Sequence, residues 1–176
     1  MPCCGRTGAE VPGQEHMDYL WSPWRFRYVS EGVKGEGCVF CEVAHRDSAH
    51  DREHLVLHRG RFSFVLLNLF PYTTGHVMVV PYAHVPYLAD LDAATLSEMM
   101  ELARRTEAAL KASYRAEGYN LGMNLGQCAG AGVADHLHLH VLPRWTGDSN
   151  FMTVVGETRV LPEDLLTTYD KLARCW

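Results

Sequence analysis

The sequence predicts an α+β fold, an antiparallel sheet of about five strands with one long helix inserted and a further helix at its C-terminal end. Short strand-like runs follow one another across tight turns, which pairs neighbours antiparallel rather than through crossover helices. Between Asp92 and Tyr114 the apolar spacing changes to that of a helix. Beyond it two more strand-like runs appear, so the helix interrupts one sheet instead of opening a second layer of βαβ units.

Taken in order, Met1 to Glu15 is Gly-rich and polar without an apolar h-region, so residues 1–17 read as a flexible tail and not as a secretory signal. Residues 18–176 read as a single domain, since no repeat, heptad run or low-complexity linker divides them. Tyr19 to Tyr28 (YLWSPWRFRY) is aromatic and basic, broken by Pro23, and expected to dock onto the core. Gly32 to Gly37 is a turn leading into Cys38-Val39-Phe40-Cys41. His54 to His58 is a first strand, Gly60 a turn, and Phe62 to Asn68 a second strand. Pro71 and Gly75 make Phe70 to Gly75 a loop, and His76 to Pro81 is a β-branched third strand.

Asp92 can cap the long helix, whose face carries Leu96, Met99, Met100, Ala103, Leu110 and Tyr114, and Gly118 is expected to close it. Tyr119 to Leu125 is a fourth strand, Gly126 to Gly132 a small-residue loop, and Leu137 to Leu142 a fifth strand stopped by Pro143. Pro162 to Cys175 is an amphipathic helix.

Composition narrows the function classes. The chain has 176 residues, 47% hydrophobic and 21% charged, an ordinary globular balance. A net charge of −5 supplies no basic footprint for a long nucleic acid. No apolar run approaches the roughly 20 residues a membrane span needs. A small anion remains possible, because oriented amides and a few histidines can hold a phosphate. Of the six cysteines, Cys3 and Cys4 lie in the tail, Cys128 and Cys175 stand alone, and only Cys38 and Cys41 form a motif. With no export signal, a reducing cytoplasmic setting is expected, where this pair is a metal half-site, a redox pair or two buried small residues.

The densest chemistry is His136-Leu137-His138-Leu139-His140. On an extended chain the three imidazoles share one face while Leu137, Leu139 and Val141 face the other. Such a run is a solvated strand face, a three-histidine zinc site, or a nucleophilic centre whose middle imidazole attacks phosphorus.

The segment GAGVADHLHLHVLPRW resembles the signature of the histidine-triad (HIT) superfamily, His-apolar-His-apolar-His-apolar-apolar, and LLNLFPYTTGHVMVVPYAH is similar to its strand-loop-strand segment. The likeness spans about Gly37 to Arg144, and the flanks LWSPWRFRY and RWTGDSNF resemble the diadenosine tetraphosphate phosphorylase subgroup. The resemblance implies a HIT-like fold. It implies His138 as nucleophile forming a nucleotidyl-imidazole, His140 as donor to phosphate oxygens and leaving group, and His76 as support for the nucleophile side of the site. Asn68 would bind ribose, and could alternatively cap its own loop. Gly130, Ala131, Gly132 and Val133 would offer backbone amides to phosphate, with Asn124 and Gln127 as candidate side-chain contacts to the α-phosphate. Trp145 and Phe151 either wall an adenine pocket or belong to the core.

The resemblance also implies a structural zinc held by Cys38, Cys41, His84 and His136, a chemically sound tetrahedral set that leaves His138 free. The partners implied are an adenine nucleotide and inorganic phosphate, giving ADP and ATP from diadenosine tetraphosphate. A hydrolase using water on dinucleoside polyphosphates or nucleoside phosphoramidates is the alternative, and a nucleotide-binding interaction protein a third. HIT domains pair through the long helix and a sheet edge, so a homodimer is expected, with the subgroup allowing a tetramer. Leu96, Met99 and Met100 would supply apolar surface there.

Overall fold

The computed structural model describes residues 37–148 and 161–176; the expected tail, the stretch Tyr19 to Tyr28, and Phe151 lie outside them. Among the described residues five strands form, β1 (Val56–Arg59), β2 (Ser63–Leu67), β3 (Val77–Pro81), β4 (Gly118–Gly122) and β5 (Leu139–Arg144). All neighbours are antiparallel, in the order β1-β2-β3-β5-β4. The helices are α1 (Val39–Ala44), α2 (Ala93–Tyr114) and α3 (Leu165–Ala173). The α+β reading holds, and α1 is an addition: six residues are too few for apolar periodicity to show.

Alternation along the strands divides the core in two. Val65, Leu67, Val77, Val79, Leu139 and Val141 face α2 and α3, where they meet Met99, Leu102, Leu110 and Leu172. Phe64, Leu66, Met78 and Val80 face the other way, with Val56 and with Phe40 of α1. Both faces of β2 and β3 are therefore buried, which is why those strands read as nearly continuous apolar runs. Each face fixes the register, since a one-residue slip would exchange the two sets.

Local signals set most of the boundaries. Asp92 caps α2 as expected, accepting from Thr95 N–H at 2.7 Å, and Asp164 caps α3 in the same way. Gly118 does not close α2. The left-handed residue is Arg115, φ 51°, and Gly118 instead opens β4. The fifth strand is not stopped by Pro143 but runs through it to Arg144. Pairing with β3 ends at Val77–Val141, so the missing N–H of Pro143 falls where β5 has only β4 beside it. β4 ends at Gly122 rather than Leu125.

The face of α2 is also rotated from the sequence reading. Met99 is core, together with Leu102, Thr106 and Ala109, while Met100 is 57% exposed. Met99 is thus unavailable to a dimer surface.

One irregularity matters for the site. The β1–β2 register shifts between Val56 and His58, a bulge of the kind that re-aims side chains. Arg59 is left facing α1, where it donates to the carbonyls of Val43 and Ala44 at 3.1 and 2.9 Å and pairs with Asp51. α1 is thereby clasped at its C-terminal end.

Candidate functional site

The three histidines of the run are all buried, which removes the solvated strand face. His136 and His138 precede the start of β5, yet the alternation already holds: Leu137, Leu139 and Val141 join the core on the α2 side. His138 and His140 point the other way, into a cavity of about 410 Å³ between α1, the sheet and the loop after β4. Asn68, Asn124, Gln127, Gly132 and Val133 line the same cavity, so every expected substrate-binding residue is brought to it.

Hydrogen bonds assign the tautomers. His138 Nδ1 lies 2.9 Å from the carbonyl oxygen of His136, so Nδ1–H donates and Nε2 keeps its lone pair. Burial holds the His138 pKa below its ordinary value despite that carbonyl, so the ring is neutral at pH 7. A buried neutral imidazole with a free Nε2 is equipped to attack phosphorus.

His76 does not line the cavity. It stands behind His140 and is 1% exposed. Its Nδ1 accepts from the backbone N–H of Tyr72 at 3.1 Å and faces Asn68 Nδ2 at 3.3 Å. Burial, with His140 and His138 nearby, lowers its pKa to about 3, so the ring is neutral and its proton sits on Nε2. That proton is donated to His140 Nδ1 at 2.9 Å. With Nδ1 accepting, a neutral His140 carries its proton on Nε2. The chain Tyr72–His76–His140 therefore fixes one imidazole as a donor beside another fixed as a lone pair, their rings 4.8 Å apart.

Asn68 makes the loop cap and stands where a ligand in the cavity could reach it. Its Oδ1 caps the following loop by accepting from Phe70 N–H at 2.9 Å, and its side chain also lines the cavity.

The four expected metal ligands converge. Cys38, Cys41, His84 and His136 offer ligand atoms that all lie within 4.8 Å of one another. The closest separations are 3.2 Å for Cys38 Sγ–His136 Nδ1, 3.2 Å for His84 Nδ1–His136 Nδ1 and 3.3 Å for Cys41 Sγ–His84 Nδ1. Tetrahedral zinc with ordinary Zn–S and Zn–N bonds sets its ligand atoms about 3.3–3.8 Å apart, so the set fits. His136 Nε2 donates to the Pro81 carbonyl at 2.9 Å, which leaves Nδ1 as the lone pair aimed at the cluster. Burial and the adjacent Cys38 push the Cys41 thiol up, a cost a cation would relieve.

Several contributors were not legible in the sequence. Phe40, between the two cysteines, packs its ring 5.3 Å from His136 and 5.0 Å from His138, tying the cysteine cluster to the cavity. Tyr72 orders His76 through its backbone N–H, and its ring lies 4.6 Å from that histidine. The carbonyls of His136 and Pro81 act as orienting acceptors, and no residue type signals a carbonyl. Trp145 is not in the cavity wall; its Nε1–H donates to the Tyr114 carbonyl at the end of α2.

Comparison with known proteins agrees with this fold. The HIT domain family model matches residues 51–147. The chain is 39% identical over 174 residues to "AP-4-A phosphorylase" of Mycobacterium tuberculosis, covering 94% of this chain and 88% of that one. It is 33% identical over 93 residues to the bis(5'-nucleosyl)-tetraphosphatase [asymmetrical] of Schizosaccharomyces pombe, covering 53% of this chain and 50% of that one. Among solved structures, a Zn-bound histidine triad family protein from Mycobacterium smegmatis superposes with a TM-score of 0.63 at 28% identity, over 79% of this chain and 92% of that one. With its alternating histidines buried on one face, their tautomers fixed and that match over more than half its length, the chain belongs to the HIT domain family.

Proposed function

We propose that the protein cleaves diadenosine tetraphosphate, or a similar dinucleoside polyphosphate, by transferring AMP through His138 to inorganic phosphate. The observation that carries the reading is the pairing of opposite tautomers, a lone pair on His138 Nε2 beside a proton on His140 Nε2, at the wall of one cavity. The relation to the M. tuberculosis AP-4-A phosphorylase over most of the chain supports the substrate class.

In the first step the His138 lone pair attacks the α-phosphorus. An N–P bond forms, the bond from phosphorus to its bridging oxygen breaks, and ATP leaves. His140 donates to the phosphate oxygens as charge builds, and the backbone amides of Gly130 to Val133 with Asn124 and Gln127 hold the remaining oxygens. In the second step an oxygen of inorganic phosphate attacks the same phosphorus, the N–P bond breaks, and ADP is released with His138 neutral again.

Water as acceptor is the second reading, supported by the relation to the S. pombe tetraphosphatase. Incubation with diadenosine tetraphosphate, with and without phosphate, separates the two. ADP plus ATP, formed only with phosphate, is the expected outcome; AMP plus ATP in either condition would establish hydrolysis.

Zinc at Cys38, Cys41, His84 and His136 would supply folding free energy and hold the segment that leads into His138. The fit of the four ligand atoms and the Zn-bound M. smegmatis neighbour support it. The free thiols of Cys38 and Cys41 suit a reducing, cytoplasmic setting. A homodimer through α2 and the β4 edge, or a tetramer built from it, is supported by the exposed Met100 and Leu121.

A further inference from the structure

The cavity runs across the sheet. Register sets His140 opposite Met78, Met78 opposite Leu66, and Leu66 opposite Val56. Three inter-strand steps of about 4.8 Å carry the wall about 14 Å from His140 to the start of β1. A nucleoside monophosphate laid along that line reaches from its phosphate, at the histidines, to the outer edge of its base.

At the far end Glu53, His54 and Leu55 enter the wall. Leu55 adopts φ 59°, a left-handed conformation rare for a bulky side chain. The Glu53 carboxylate is met by His50 Nδ1 at 3.2 Å. Among the described lining residues, Glu53 is the one with a formal charge at neutral pH. A nucleotide with its phosphate at this end would set two anions against each other, so the phosphate belongs at the histidine end and the base toward Glu53.

We propose that Glu53 and His54 select the base. The carboxylate accepts a hydrogen bond from the exocyclic amine of adenine, and a ring nitrogen of His54 donates to the adjacent ring nitrogen of the base. The inference rests on the nucleotide reading above and adds to it a purine-edge reader at the opposite end of the cavity from the chemistry.

The test compares AMP with purine riboside 5′-monophosphate, which lacks only the amine, by calorimetry on the full chain and on Glu53→Ala. The wild-type chain should prefer AMP about three- to tenfold, the worth of one partly exposed hydrogen bond to a charged group. In Glu53→Ala that preference should vanish, while affinity for the amine-free nucleotide changes by less than about twofold. Equal wild-type affinity for both nucleotides, or an equal loss for both in Glu53→Ala, overturns the proposal and leaves the nucleotide site standing. Failure of both nucleotides to bind the wild-type chain would overturn the nucleotide reading itself. His54→Phe keeps a ring but loses the donor, and should weaken AMP while leaving its 1-deaza analogue unaffected; equal weakening of the two contradicts the role given to His54.

Discussion

Replacing His76 by Phe tests how the site fixes its protons. The substitution keeps a ring of similar volume at a position 1% exposed, and it removes the acceptor for Tyr72 N–H and the donor to His140 Nδ1. Each buried polar group left without a partner costs about 1–3 kcal/mol, and with partial relaxation the fold should lose about 3 kcal/mol. His140 remains present, but its proton is no longer held on Nε2. Deleting a preorganised donor outright costs about 10²–10³ in rate, and this variant loses only the preorganisation, so kcat should fall about 10- to 100-fold. AMP affinity should change little, because His76 does not line the cavity. His76→Gln, whose amide can both accept from Tyr72 and donate to His140, should recover much of the rate. Denaturant unfolding, single-turnover kinetics and nitrogen-resolved NMR of the His140 tautomer provide the readouts. A Phe variant with wild-type kcat and His140 still protonated on Nε2 would refute the relay.

The remaining predictions address stability and the metal. His76 titrates at about 3 in the fold against 6.5 when unfolded, so between those values the unfolded chain binds the extra proton. Its contribution is therefore complete above pH 6.5 and is lost as the pH falls, by about 1.4 kcal/mol per unit down to pH 3; thermal melts from pH 7 to pH 4 should show the decline, and His76→Phe should flatten it. Protein purified without chelator should hold close to one zinc per chain by metal analysis, and Cys41→Ser should lower both metal content and Tm; metal-free wild-type protein with an unchanged Tm would reject the structural site. Gly75 sits at φ +78° with the place of a Cβ 2.9 Å from Leu110 and 3.2 Å from Pro143, so Gly75→Ala should cost about 1–3 kcal/mol in denaturant unfolding, and a loss below measurement would contradict the close approach.

Much of this was legible in the sequence because the signals were local. The apolar runs of β2 and β3 and the alternation of imidazole and apolar side chains from His136 to Val141 are written in the strands themselves, and Asp92 announces the start of α2. The triad, the cysteine pair and the loop glycines are contiguous motifs, and the resemblance they carry named the residues that the fold then gathers. What was missed depends on tertiary placement. The exposed face of α2 was misjudged because Met99 and Met100 are equally apolar, and only the packing of the sheet decides which is buried. Pro143 looked like a stop because a proline cannot pair on two sides, and here it has strand neighbours on one. The tautomers depend on carbonyls of His136 and Pro81 and on the Tyr72 amide, groups that every residue possesses.

The proposed mechanism requires that His138 become covalently adenylylated. Wild-type protein mixed with diadenosine tetraphosphate in phosphate-free buffer, quenched within milliseconds in alkali to preserve the N–P bond, can be digested and mapped by mass spectrometry. One adenylyl group is expected on the peptide carrying His138, formed with a burst of ATP, absent in His138→Ala, and discharged as ADP when phosphate is added before the quench. Turnover at the wild-type rate in His138→Ala, or a burst of ATP with no adduct on that peptide, would contradict it.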